Sequence, residues 1–569
     1  MIKRFYLLTI QSVLLLFLFP VISCKKDKET VNPGIRYGIT GVEPAMAGAG
    51  DTISIYGAGF QNNVTGNTVK INGAEAKVIT ASANTLRVIV PGAPRNGNIT
   101  VQTGSNTNTY DKVFAVITVV KDNISTDTKW TADQIYLLKG NVHMLTGSKL
   151  TIEAGTTILG DKTSRAALII DQGATVAMNG TAASPVVFSS NQAITFRQPG
   201  DWKGIELSGD GGASPGDVIK YVRIEYAGYH QPEAPGAALR VSRATTAGNI
   251  NNIQASYSAG DGYLFDSARG SSQYIDHLIA YGCAGNDFTY TNGVEGYGQF
   301  LLGIKDPVYA DQLRADGLLV QSSRPVTISN LTLIGYNGLA RQIVPNTTYL
   351  YGLVDDEVLN ANAGRGVRIG GMANVNGVLT PASGTLRLFN SVIAAPWLAG
   401  ISVDGAASWA GYENGSTGSV IRNTSVTYTL ADGTNAIRTL PGSPPFRGYS
   451  FSAENITGSR KGFERIDGTT QAGAFMLHND TARLMLLPYP TYDAPYDDYG
   501  LTNSVQYNKL TSPVFSPVSG SLLLSGADFS SAMLANTFFA RNTAFRGAFG
   551  GTDWAASWSN YQPQQVSYQ

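Results

Sequence analysis

The sequence predicts an all-β protein, an Ig-like sandwich followed by a right-handed parallel β-helix. Three observations predict it. Gly is abundant at 64 residues, charged residues are only 14%, and 28 Tyr outnumber 21 Phe, a mix that suits turns and strands. No long amphipathic helical period is found. A spaced apolar motif recurs through the second half of the chain, and sustained repetition is the mark of a solenoid.

Residues 1–23 read as a lipoprotein signal peptide. Lys3 and Arg4 give a positive start, and Phe5 to Phe19 is almost unbrokenly apolar, too short and wrongly flanked for a membrane span. Val21-Ile22-Ser23-Cys24 resembles the bacterial lipobox, which implies cleavage before Cys24, lipidation of its thiol and acylation of the new amine. Each buried CH₂ is worth roughly 0.8 kcal/mol, so two or three acyl chains hold the protein to a membrane persistently. Residues 24–35 form a charged, Pro/Gly-punctuated tether. No Asp follows Cys24, and the charged leash resembles those of Bacteroidetes lipoproteins; both imply the outer membrane and the cell exterior.

If Cys24 carries lipid, Cys283 has no intramolecular partner, and an exported chain is built without disulfides. Lys plus Arg and Asp plus Glu both number 41, so no net field attracts a polyanion, and nucleic acid is excluded as a partner.

Residues 36–117 show short alternating strands with regular turns. Asn72-Gly73, between Val69-Lys70-Ile71 and Ala74-Glu75-Ala76-Lys77-Val78, is the pair most suited to a two-residue hairpin, where both central positions need positive φ. With Gly41-Val42-Glu43-Pro44, Gly57-Ala58-Gly59-Phe60 and Val90-Pro91, the module resembles the IPT/TIG family of Ig-like domains, which implies a spacer or interaction role.

Residues 118–569 read as the parallel β-helix with a C-terminal cap. The motif appears at Ile219, Ile250, Ile275, Ile328, Phe389 and Ile421, roughly 25 to 32 residues apart or about twice that where a copy goes unrecognised. Asn252, Asn330, Asn423 and Asn455 occupy one slot, where stacked amides are expected to bond from coil to coil; His277 stands in the same slot. Trp554 and Trp558 are expected to cap the last coil. Ile135-Tyr136-Leu137-Leu138-Lys139-Gly140, Leu150-Thr151-Ile152-Glu153-Ala154-Gly155 and Tyr221-Val222-Arg223-Ile224-Glu225-Tyr226 resemble a β-helix family of Bacteroidetes surface proteins whose activity is undefined.

That family often carries dense acidic stretches at positions matching Asp261, Asp266 and Asp287. Calcium takes six to eight oxygens, and three scattered aspartates make it a weak expectation, with no other cofactor indicated. Asp355-Asp356-Glu357 and Asp497-Asp498 match no hydrolase pattern, and Arg365 with Arg368 lack the calcium-binding acids of a lyase. No catalytic residue is assigned. Tyr489, Tyr492, Tyr496, Asp497, Asp498 and Tyr499 combine aromatic faces, carboxylates and stiff prolines, the chemistry of a glycan or peptide contact. The expected function is non-catalytic capture or scaffolding at the surface, beside an outer-membrane nutrient transporter. The alternatives are an adhesin and a polysaccharide lyase or glycoside hydrolase.

Overall fold

The computed structural model describes residues 38–335 apart from short stretches at 93–95, 211–215, 231–235, 268–269 and 307–314. It further describes parts of 365–426, strand pairs at 437–438, 463–464 and 470–471, and most of 513–568. Within these residues the regular structure is strand and short 3₁₀ turns.

Seven antiparallel strands make the first unit, running Gly38–Glu43, Thr52–Ala58, Thr85–Ile89, Ala74–Ala81, Asn67–Ile71, Ile99–Thr103 and Asn106–Thr109 across the sheet. Alternation sends Ile53, Ile55, Val69, Ile71, Leu86, Val88, Ile99 and Val101 into one closed core. The hairpin forms as its sequence demands, with φ of +52° at Asn72 and +86° at Gly73.

The strand Phe114–Val120 serves both units. Its start pairs with Met46–Gly48 and Asn96–Gly97, and its end pairs in parallel with Ile135–Leu138, the first rung of the solenoid. The Ig-like unit is therefore fused to the β-helix through continuous backbone hydrogen bonds.

Each coil has three faces, as in Lys149–Glu153, Thr157–Gly160 and Ala167–Ile170, and equivalent strands of successive coils pair in parallel. From Val218–Glu225 onward the first two faces merge into one bent strand, repeated at Ile250–Ser256, Ser272–Tyr281, Glu295–Ile304 and Val326–Ile334. Residues such as Ile219, Val222, Ile224, Ile250, Ile253, Ile275 and Leu278 point inward and are fully buried. Each contributes roughly 1.5 to 3 kcal/mol, which is how a chain whose described thiol, Cys283, is free holds together without a bridge.

The bend is the slot that the sequence marked with Asn. Tyr221, Asn252, His277, Phe300, Asn330, Asn390 and Asn423 share it, with φ between +50° and +57°. What the corner requires is a left-handed residue, and Asn enters that region more readily than other non-Gly side chains. A run of identical amides is thus not the rule. Among the described residues, contiguous amides occur at Asn330, Asn390 and Asn423, where Asn423 Nδ2 donates to Asn390 Oδ1 at 2.6 Å. Asn455 lies outside the described residues.

One expectation about the repeat holds, since an unrecognised copy does lie between Ile275 and Ile328, and one needs correction. The rung Glu295–Ile304 escaped the pattern because Gly296 and Gly298 replace inward aliphatics. A Cβ at Gly296 would sit 2.6 Å from a Tyr290 ring carbon, so that ring fills the space instead. The double spacing before Asn390 hides no unrecognised copy. Val326–Ile334 pairs directly with Leu386–Phe389 and Val392–Ala394; Arg365–Val375 supplies the third-face strand between them, pairing in parallel with Leu318–Gln321 and Ala399–Asp404, and its end folds back as a hairpin with Val378–Ala382.

The described part of the C-terminal segment runs back along the outside of the corner as a strap. Asn390 Nδ2 donates to Asp528 O at 3.1 Å while its Oδ1 accepts from Asp528 N at 2.8 Å; Gln254 grips Asn560 the same way, at 2.8 and 2.7 Å. Corner amides thereby stand in for the neighbouring strand that the strap lacks. Trp554 packs edge-on against His277 and Trp558 against Tyr221, so neither protects an open strand edge as expected. At the far end, Tyr568 and Val566 cover Ile117, Ile135, Leu137, Leu159 and Val187, beside Met46 of the Ig-like unit.

The Tyr568 hydroxyl donates to buried Glu225 Oε1 at 2.7 Å, and Arg197 donates to Pro563 O and Val566 O. Burial outweighs the nearby Arg223 and raises the Glu225 carboxyl above its ordinary range, so each bond to it counts. Tyr568→Phe is expected to lower stability by about 1.5 to 3 kcal/mol, measured by urea unfolding.

Candidate functional site

Cys24 and the stretch bearing Tyr489, Tyr492, Tyr496, Asp497, Asp498 and Tyr499 lie outside the described residues. The three aspartates weighed for metal lie within them; Asp261 is near enough to Asp287 to help raise its carboxyl, while Asp266 stands apart. Asp261 opens and Asp266 follows the strand Asp261–Phe265, which rises about 3.3 Å per residue and so holds them well apart. Asp266 accepts from Arg240 at 2.7 Å and from Ser242. Asp287 pairs with Lys305 at 3.0 Å.

Asp261 belongs instead to a ladder between the second and third faces. Its Oδ1 accepts from Asn286 N at 2.8 Å, Asn286 Oδ1 accepts from Asp316 N at 3.1 Å, and Asp316 Oδ1 accepts from Arg365 N at 2.8 Å. Each side chain satisfies a backbone donor of the next coil, which is why acidic and amide residues recur there. Arg365 and Arg368 both approach Asp316, at 3.7 and 3.9 Å, and serve that corner. Among the described residues, no group of three or more His, Cys, Asp or Glu is placed to hold a metal ion.

The described histidines take structural partners. His143 meets Asp171 at 2.8 Å, His230 meets Gly228 O at 3.2 Å, and His277 meets Asp276 at 2.9 Å with its ring against Phe300 and Trp554.

A candidate contact surface forms on the outer side of the first face. The register sets Tyr274 beside Tyr297, and their rings stack at 4.8 Å with 8° between planes. The spacing is that of adjacent strands, so the stack follows from the winding itself. Phe538 of the strap lies 5.6 Å from the Tyr274 ring, tilted by 56°. Tyr297 donates to Glu295 Oε1 at 2.7 Å; Ser272 and Arg324 hold the other carboxylate oxygen. Burial, then the bond to Glu295, push the Tyr297 phenol up to about 12, so it stays a neutral donor. The surface joins half-buried ring edges, a hydroxyl row and a half-exposed guanidinium. Aromatic faces beside polar and charged groups are the chemistry that suits contact with a sugar or a peptide. The sequence pattern does not reveal it because Tyr297 lies on a rung whose inward aliphatics are replaced by glycine.

Residues 38–116 match the IPT/TIG domain family, and residues 122–218 match the family described as a pectate-lyase like beta helix domain. The chain carries both domains. Among solved structures, an auxiliary nutrient binding protein from Bacteroides thetaiotaomicron VPI-5482 aligns at 20% identity over 17% of this chain and 25% of that one, with a TM-score of 0.14. An auxiliary nutrient binding protein from Bacteroides ovatus ATCC 8483 aligns at 25% identity over 15% and 22% of the two chains, with a TM-score of 0.13. The match thus spans a quarter or less of either structure's length. No curated protein matches this chain.

Proposed function

We propose that this chain is a lipid-anchored cell-surface protein that captures a glycan or peptide without transforming it, on a β-helix carried by an IPT/TIG domain. Its setting in this reading is the outer membrane, beside a nutrient transporter. Anchoring rests on the Cys24 lipobox. Capture rests on one observation, the stacked Tyr274–Tyr297 pair flanked by Glu295 and Arg324 on an outward face. Asp261, Asp266, Asp287 and Asp316 are each engaged in holding coils together.

The test uses the soluble form that begins at Lys25, on glycan and peptide arrays. Saturable binding with the ligand recovered intact supports capture; shortened oligosaccharides would replace it with lyase or hydrolase activity, and attachment to cells alone with adhesion. Tyr274→Ala with Tyr297→Ala is expected to weaken binding at least about tenfold, equivalent to about 1.4 kcal/mol. Tyr492→Ala with Tyr496→Ala asks the same of the second stretch. Unchanged affinity in both double variants would remove both surfaces from the reading.

A further inference from the structure

Lys305 and Asp287 are the most deeply enclosed charged pair among the described residues. Both side chains have 0% exposure, and Nζ lies 3.0 Å from Oδ1. Asp287 is fully buried where the chain enters the third-face strand Phe288–Thr291. A Cβ at Gly303 would meet Asp287 Oδ2 at 2.4 Å; glycine there is what lets the carboxyl fit. Lys305 also donates to the carbonyl oxygens of Gly285 and Cys283. Beyond Lys305, neither Asp287 oxygen meets a hydrogen-bond donor among the described residues.

That imbalance separates this pair from an ordinary buried salt bridge, in which further hydrogen bonds satisfy the carboxylate. Burial is the largest influence on Asp287 and Lys305 only partly opposes it, so the carboxyl is pushed up to about 7. A carboxyl that accepts a proton near neutrality, held against an amine where water is excluded, has the geometry and the protonation for acylation.

We propose that Lys305 and Asp287 condense into an intramolecular amide that staples two successive coils. The ammonium of Lys305 first passes one proton to the Asp287 carboxylate, leaving a neutral amine beside a neutral acid. Nζ then attacks Cγ, the Nζ–Cγ bond forms, and a Cγ–O bond breaks. The departing oxygen leaves as water with the acid proton and a second proton from Nζ. No oxidant or other reactant is needed. The remaining N–H keeps a carbonyl acceptor in Gly285, and two charges disappear from the dry interior.

The test is a tryptic digest of the full-length protein, denatured and reduced, read by mass spectrometry. No Lys or Arg stands between Arg269 and Lys305, and the next cleavage site is Arg314. The staple blocks cleavage after Lys305, so residues 270–314 are expected as one peptide, lighter than its sequence by one water. Fragment ions should place the loss across Asp287 and Lys305. Release of residues 270–305 at full mass would overturn the proposal. So would loss of water with cleavage after Lys305, which marks a cyclic imide at Asp287. Lys305→Arg is expected to restore the full mass; if that variant fails to fold, the digest of the unsubstituted protein decides alone.

Discussion

Ile253→Asp is expected to cost more than about 3 kcal/mol and to depress the thermal melt more than any outward substitution on the same rung. Ile253 is fully buried, and the register places it between Val222 and Leu278 of the neighbouring coils. The substitution removes a packed aliphatic and leaves a carboxylate with no counter-charge in the stack. Coils touch mainly their neighbours, so the damage should appear first as faster hydrogen exchange around residues 219–281 and spread outward from there. Equal melts for the variant and the parent would show that Ile253 does not point inward. Ile253→Val, which keeps the shape and loses one methylene, should cost only about 0.5 to 1.5 kcal/mol.

Arg243→Met is expected to cost about 3 to 5 kcal/mol at neutral pH, because it strands the buried carboxylate of Asp217. Arg243 Nε lies 3.0 Å from Asp217 Oδ2 with both side chains nearly enclosed, and Arg243 also donates to the carbonyl oxygens of Asp171 and Ala174. In the native protein burial raises the Asp217 carboxyl above its ordinary value and Arg243 pulls it back down. Removing Arg243 raises it further. A carboxyl whose folded pKa lies above its unfolded one contributes stability below the unfolded value and loses it as pH rises through the folded value. The deficit of the variant should therefore be largest at neutral pH and shrink as pH falls through the raised Asp217 value. A deficit that stays constant from pH 4 to pH 8 would show that Asp217 is not the stranded group.

The repeat was legible because inward aliphatics cannot be exchanged for polar residues without a cost of this size. It failed to register at Glu295–Ile304, where Tyr290 reaches across to fill the space above two glycines, a substitution visible only between coils. The corner was legible for a reason other than the one first attached to it. Asn252, Asn330 and Asn423 do share a slot, yet Tyr221, His277 and Phe300 fill it too, because the chain turns there through a left-handed residue and the amides are secondary. Asp261 likewise stood out as a possible ligand, although its oxygens serve the backbone of the next coil.

By itself, the sequence determined the all-β class, the Ig-like unit with its Asn72-Gly73 hairpin, and the winding of the coils. These depend on near-neighbour rules: alternation along a strand, positive φ at a turn, and repetition along the chain. Only the tertiary structure decided that one strand serves both units, that the C-terminal segment lies back along the corner as far as Glu225, and that Tyr274 and Tyr297 form one surface with Phe538. Those contacts join residues far apart in the chain, and side-chain amides replace the strand pairing that a local pattern would have announced. Coil-to-coil packing hid the Asp287–Lys305 pair as well, because its environment is set by the neighbouring coil and by the missing side chain at Gly303.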